Sequence, residues 1–199
     1  MTGRFDTARV EAFSDGVFAI AITLLVLEIS IPEDEFDDLW AAIADQWPSY
    51  LAYVTSFLTI GGLWLVHHGI FRRMRFADPT VLRTNLVLLL MVAFLPFPTR
   101  LVAETLTINH AERPAVLFYG AVLFVISALM TTLARYVAVR DEMRGEEISR
   151  DEMEGLARLI APSPGFYVLV LFGAVFAPDV AAFGFLVIAV AAITRRPHS

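Results

Sequence analysis

Apolar residues along this chain gather into six long segments, each set off from the next by charged or proline-bearing stretches. The first runs from Arg9 to Ile31, and at 100° per residue it has two unlike sides. Arg9, Phe13, Gly16, Ile20, Thr23, Leu24, Leu27 and Ile31 fall on one side, while Ser14 and Asp15 point elsewhere. One side is thus apolar apart from a threonine and a basic foot, and the other carries polar groups able to lock onto neighbouring helices. The uncharged run Gly16–Leu27 is shorter than the about 20 helical residues that a hydrocarbon core of about 30 Å requires. A span here therefore draws charged neighbours toward membrane depth, where ionisable groups persist mostly if they face protein, water or an ion.

The second segment, Gln46 to Phe71, holds no Asp, Glu or Arg; the third lies between Arg83 and Arg100, with Pro96 and Pro98 at its far end predicting a kink or an early stop. The fourth lies between Arg113 and Arg135, the fifth between Arg158 and Asp179 with Pro162 and Pro164 in its first turns, and the sixth between Asp179 and Arg195. The pattern predicts an all-α membrane protein, one transmembrane domain over residues 1–199, with approximate spans at 9–31, 46–72, 81–104, 113–138, 158–177 and 179–195. The short turn between the last two predicts a helical hairpin.

Composition and charge sharpen this picture. Of the 199 residues 57% are hydrophobic and 18% charged, and the mean hydropathy is +0.66, values of a multi-pass membrane protein. All 15 basic residues are arginines. With a cytoplasmic N-terminus only Arg100 and Arg113 fall outside, so the positive-inside rule predicts six spans with both termini cytoplasmic. No cleavable signal peptide is expected, and internal segments direct insertion. The net charge of −6 gives no reason to expect a nucleic-acid partner, and without cysteine there is no disulfide or thiolate chemistry. The acidic linker Pro32–Asp38 lies outside on this topology, either a rim that concentrates cations or a solvated loop. The linker from Arg140 to Arg158, dense in both signs, is expected to be a helical connector on the cytoplasmic side.

No hydrolase triad, HExxH, Walker loop or dinucleotide fingerprint is found, so enzyme chemistry is not expected. Adjacent His67 and His68 project about 100° apart, a poor metal pair. One of them is expected to bond Ser14, Asp15 or Asn85 and the other to sit at the interface, unless both simply contact headgroups. Asn85, one turn into the third span, is a residue that ordinarily bonds across helices. Asp15, His67, His68 and Asn85 share the cytoplasmic third of their spans. The Ile20, Thr23, Leu24 and Leu27 stripe fits lipid, bundle core or a hydrophobic constriction in which side chains, rather than backbone carbonyls, meet the ion.

Arg9-Val-Glu-Ala-Phe13-Ser14-Asp15 resembles the R-x-x-x-F-S-D signature of the transmembrane protein 175 family of potassium channels. Trp64-Leu-Val-His67-His68 is similar to its W-x-x-H-H segment, and Asn85-Leu with Leu95-Pro96-Phe97-Pro98-Thr99 to its N-L and P-F-P-T pattern. These motifs occupy about the first half of the chain. The resemblance implies a homotetramer in a lipid bilayer, with the first helix of each subunit lining a pore for potassium and other monovalent cations. It implies Ile20, Leu24 and Leu27 as the constriction, Thr23 as a hydroxyl layer linked to selectivity, and Arg9, Phe13, Ser14, Asp15, His67 and Asn85 as the packing network that positions the helix. Passive conduction across a bacterial inner membrane follows, with no cofactor and no bound metal beyond the permeating ion. Two other readings stay open: a proton-coupled transporter or proton channel using Asp15 and His67, and a structural membrane protein in which the polar residues only pack.

Overall fold

The computed structural model describes residues 3–31, 33–106, 111–145, 147–149, 151–153, 155 and 162–194. Its helices of seven or more described residues are α1 (Thr7–Leu24), α2 (Leu39–Asp45), α3 (Trp47–Phe71), α4 (Pro79–Phe94), α5 (Pro96–Thr105), α6 (Glu112–Ala138), α7 (Pro162–Phe176) and α8 (Pro178–Thr194). Local chemistry starts most of them. Asp6 caps α1 by accepting the Ala8 N–H at 2.9 Å. Asp78 caps α4 through Val81 at 2.8 Å. Prolines open α4, α5, α7 and α8, at the position where their missing N–H costs nothing and their fixed φ suits a helix.

Among the described residues, four helical stretches are long and apolar enough to cross a membrane: Thr7–Glu28, Trp47–Phe71, Pro79–Thr105 and Glu112–Ala138. The third of these is α4 and α5 in tandem. Pro96 offers no N–H to the Val92 carbonyl, and its ring crowds the preceding turn, so the helix kinks at Leu95 and resumes. The first ends in a tight 3₁₀ turn, Leu25–Glu28. The remaining two apolar helices form a hairpin joined through Ala177, and at 15 and 17 residues each is about 22–26 Å long. The start of the predicted span 158–177 and the end of the predicted span 179–195 lie outside the described residues, as do Arg150, Arg158, Arg195 and Arg196.

Around α3 as the central member, α1 packs on α3 and α4, α5 on α3 and α6, and the α7–α8 hairpin on α6 and α3. Buried hydroxyls pin α3, α5 and α6 together in this apolar medium: Ser56 Oγ lies 2.8 Å from Thr99 Oγ1 and 2.9 Å from the Tyr119 hydroxyl. The hairpin rests on a close approach at Gly120, where a Cβ would stand 2.7 Å from both Leu171 and Phe185.

On the face that holds the N-terminus, the loop after α3 is gripped from both sides. Phe5 and Ala77 exchange backbone hydrogen bonds at 2.8 and 3.0 Å, and Arg75 and Gly145 donate to Met143 and Arg73 at 2.8 and 2.9 Å. The expected helical connector after Arg140 begins with a 3₁₀ turn, Asp141–Met143, breaks into extended backbone at Arg144, where it pairs with this loop, and among the described residues is helical again at 151–153 and 155. Arg73 pairs with Glu152 at 2.9 Å. The Tyr136 hydroxyl donates to Asp78 at 2.6 Å, beneath an Arg140 guanidinium 3.5 Å from its ring centre.

Two outcomes follow. Gly120→Val overpacks the hairpin seat and lowers stability by about 1–3 kcal/mol, read as a lower melting temperature in detergent, whereas Gly173→Ala, with open space at its Cβ, leaves it nearly unchanged. Partial burial pushes the Asp78 carboxyl up, but the Tyr136 hydroxyl, the Val81 and Thr80 amides and the Arg140 charge outweigh it and hold the carboxyl below its ordinary 3.8. Its contribution is thus complete above pH 3.8 and disappears as pH falls through the lowered native value. Melting curves of wild type and Asp78→Asn should differ at neutral pH and converge in that acid window.

Candidate functional site: the first helix and its polar anchor

Helix α1 buries one narrow edge. Ser14, Phe18 and Ala21, then Leu25 in the following turn, recur at i, i+4, i+7 and i+11, the spacing of a helical stripe. They face α3 and α4. The opposite side is open: Phe13 is 58% exposed, Ile20 60%, Leu24 40% and Leu27 71%, with Arg9, Gly16 and Thr23 exposed beside them.

A chain of hydrogen bonds fixes which edge is buried. The Ser14 hydroxyl donates to the Val10 carbonyl at 2.8 Å, so its oxygen is free to accept, and the Asn85 amide donates to it at 3.0 Å. That orients Asn85 Oδ1 toward His67 Nε2, 2.8 Å away, and because the amide oxygen only accepts, the ring must carry its proton on Nε2. Ser14 and His67 are fully buried and Asn85 nearly so. The imidazole stacks on Phe71 with centroids 4.4 Å apart and tilts against Phe18 at 5.3 Å, while its Nδ1 has no hydrogen-bond partner. Three helices are tied at one level, α1 by serine, α4 by asparagine and α3 by histidine.

A second tie runs beside the first. Trp64 Nε1 donates to Asp15 at 2.8 Å. One turn nearer the N-terminal face, His68 Nδ1 and Glu11 Oε1 approach to 2.6 Å, out of line for a hydrogen bond, with His68 stacked on Trp64 at 5.6 Å. Glu11 and Asp15 are one turn apart on α1, as are Trp64 and His68 on α3, which makes two rungs of an antiparallel pair.

Of the residues singled out by sequence, Ser14, His67 and Asn85 are thus brought into contact, and Asp15 bonds Trp64 beside them rather than a histidine. Arg9 and Phe13 stay out of this network within one chain and face outward with Ile20, Thr23, Leu24 and Leu27. Sequence reasoning passed over Trp64 and Glu11 as site residues. Their i, i+4 spacing from His68 and Asp15 was the available signal. The outward stripe has one further property. The Thr23 hydroxyl donates to the Ile20 carbonyl at 2.9 Å, leaving its lone pairs free on the exposed side.

Asn85→Leu strips the His67 ring of the hydrogen bond at Nε2 and should cost about 1–3 kcal/mol, the penalty of an unsatisfied buried polar group. Ser14→Ala, which removes one acceptor and leaves the His67–Asn85 bond in place, should cost less. Both are read from thermal unfolding in detergent.

The family model described as endosomal/lysosomal potassium channel TMEM175 matches residues 9–96, the stretch that contains all of these contacts. A potassium channel of Chamaesiphon minutus is 40% identical over 167 residues, which is 82% of each chain. The endosomal/lysosomal proton channel TMEM175 of Danio rerio is 40% identical over 128 residues, 60% of this chain but 25% of that longer one. Among solved structures, the lysosomal potassium-selective channel TMEM175 homolog from Chamaesiphon minutus superposes with a TM-score of 0.85 at 35% identity, covering 94% of this chain and 96% of the other.

Proposed function

The chain belongs to the TMEM175 family, a family of membrane ion channels rather than enzymes, and we propose that it is itself a potassium-permeable channel whose conduction is passive. The observation that carries this reading is the rotational setting of α1. Its polar edge is consumed inside the subunit, so its apolar stripe is left for something outside the subunit. Four copies of that stripe around one axis would build a narrow route from Ile20, Leu24 and Leu27, a constriction that opposes ions by excluding water. Thr23 would add a layer of hydroxyl oxygens already oriented by their bond to Ile20.

The same proposal takes six spans per subunit, with the α7–α8 hairpin as the last pair, both termini in the cytoplasm, and a bacterial inner membrane as the location. Arginine placement supports that orientation, since the loop after α3 and the linker after α6 carry most of the described positive charge on the N-terminal face. The alternative of a direct proton relay between Asp15 and His67 finds less support. The two bond different partners, Trp64 and Asn85.

Purified protein in liposomes with an outward potassium gradient should conduct. Ile20→Asn and Leu27→Asn, which hydrate the constriction, should raise the flux severalfold. Thr23→Ala should lower the potassium-to-sodium permeability ratio with less effect on total conductance. Vesicles that stay impermeable to monovalent cations, or a monomer or dimer as the largest species cross-linked in mild detergent, would overturn the reading.

A further inference from the structure

Between the first span and α3 the chain does something that channel function does not explain. The 3₁₀ turn Glu33–Asp38 and the short helix α2 stand beside the bundle and bury a single residue of α2, Ala42. They are held to α3 by the Tyr50 hydroxyl, which donates to the Ile43 carbonyl at 3.1 Å, and α2 is capped by Asp38, which accepts from Ala41 at 3.2 Å. This is an ordered element with its apolar side chains turned out. Trp40 is 84% exposed, Phe36 57% and Leu39 48%.

The charge on α2 is sorted around its axis. Taking Ala42 as the direction of the bundle and 100° per residue, Leu39, Ile43 and Trp40 occupy the sector from about 60° to 160°, while Asp38 and Asp45 lie together near 300–320°. One flank is apolar and the other acidic. Two of the three tryptophans in the chain, Trp40 and Trp47, fall in this neighbourhood with Tyr50. Trp47, Tyr50, Val54 and Phe57 are exposed in line down α3, so the apolar flank of α2 continues into an apolar stripe that descends toward the membrane interior. Amphipathic aromatic residues favour the headgroup level, and a helix with one apolar and one charged flank settles in the plane of that boundary.

We infer that Phe36, Leu39 and Trp40 dock the α1–α3 connection onto the bilayer, with the Trp40 ring in the headgroup–acyl boundary of the adjoining leaflet and the acidic flank of α2 in water. The inference needs the spans to cross a bilayer but not a conducting pore, so its failure and that of the channel reading are separable.

The chain contains no cysteine, which makes site-directed nitroxide labelling clean. Trp40→Cys and Asp45→Cys would each be labelled in the full-length protein and reconstituted in phosphatidylcholine vesicles. Leu39→Cys serves as a second apolar-flank position should Trp40→Cys fail to fold. Power saturation with oxygen, which partitions into lipid, and with a water-soluble nickel chelate reads the surroundings. The label at 40 or 39 should show an oxygen-to-nickel accessibility ratio severalfold above that at 45. A label at 40 that is open to nickel places the segment in bulk water, and one shielded from both reagents places it against another subunit. Either result overturns the inference.

Discussion

An unpaired polar atom in a lipid-surrounded bundle has no water to fall back on, and this one constraint sets the rotation of α1. Ser14, Asn85 and His67 can satisfy one another only if the serine points between α3 and α4. Once it does, the positions four, seven and eleven residues on are carried inward with it, and Phe18, Ala21 and Leu25 become core. Everything on the opposite side, Ile20, Leu24 and Leu27 included, is then exposed without any interaction selecting it. The stripe is outward as a geometric consequence of a hydrogen-bond chain, and hydrophobicity alone could not have chosen between the two sides of so apolar a helix.

The rest of the fold supports that setting from a distance. The Asp15–Trp64 bond and the Glu11–His68 contact resist rolling of α1 over α3. The bridge between Phe5 and Ala77 holds the segment just ahead of the Asp6 cap. The kink at Leu95 lets one span meet two sets of partners: α4 reaches α1 with Asn85, and α5 turns back toward α3 and α6 with Thr99.

Much of this was legible in the sequence because period and charge act locally. The 100° arithmetic grouped the outward positions of α1, charged flanks delimited the long helices, and Pro96 with Pro98 marked a break. What was not legible depends on which helices become neighbours. Nothing in the spacing alone says that Asp15 meets an indole rather than an imidazole, since Trp64 and His67 lie only three residues apart and both could face α1. The linker after Arg140 was read as helical from its charge density, a signal that carries no information about the break at Arg144, where the backbone pairs with the loop after α3 before the helical residues 151–153. The ordering of α2 was equally hidden, because nothing in the short run Leu39–Asp45 shows that the Tyr50 hydroxyl will hold its Ile43 carbonyl.

The two ends of α1 are built differently, and that difference bears on how its stripe is aligned. The N-terminal half is α-helical and fastened by five polar side chains, those of Ser14, Asp15, Trp64, His67 and Asn85. The far end tightens into a 3₁₀ turn with the Ile29 amide on the Val26 carbonyl at 3.2 Å. Its side-chain ion pair is a loose one, Arg100 to Glu28 at 3.8 Å. In an α-helix Leu27 would be rotated about 60° from Leu24, but in a 3₁₀ turn residues three apart eclipse. The tighter turn therefore stacks Leu27 over Leu24 on one side while Leu25 stays fully buried. A continuous α-helix with the same residues would splay the two leucines. The alignment of the outer stripe is a property of the backbone turn, held by the burial of Leu25 more than by any polar contact.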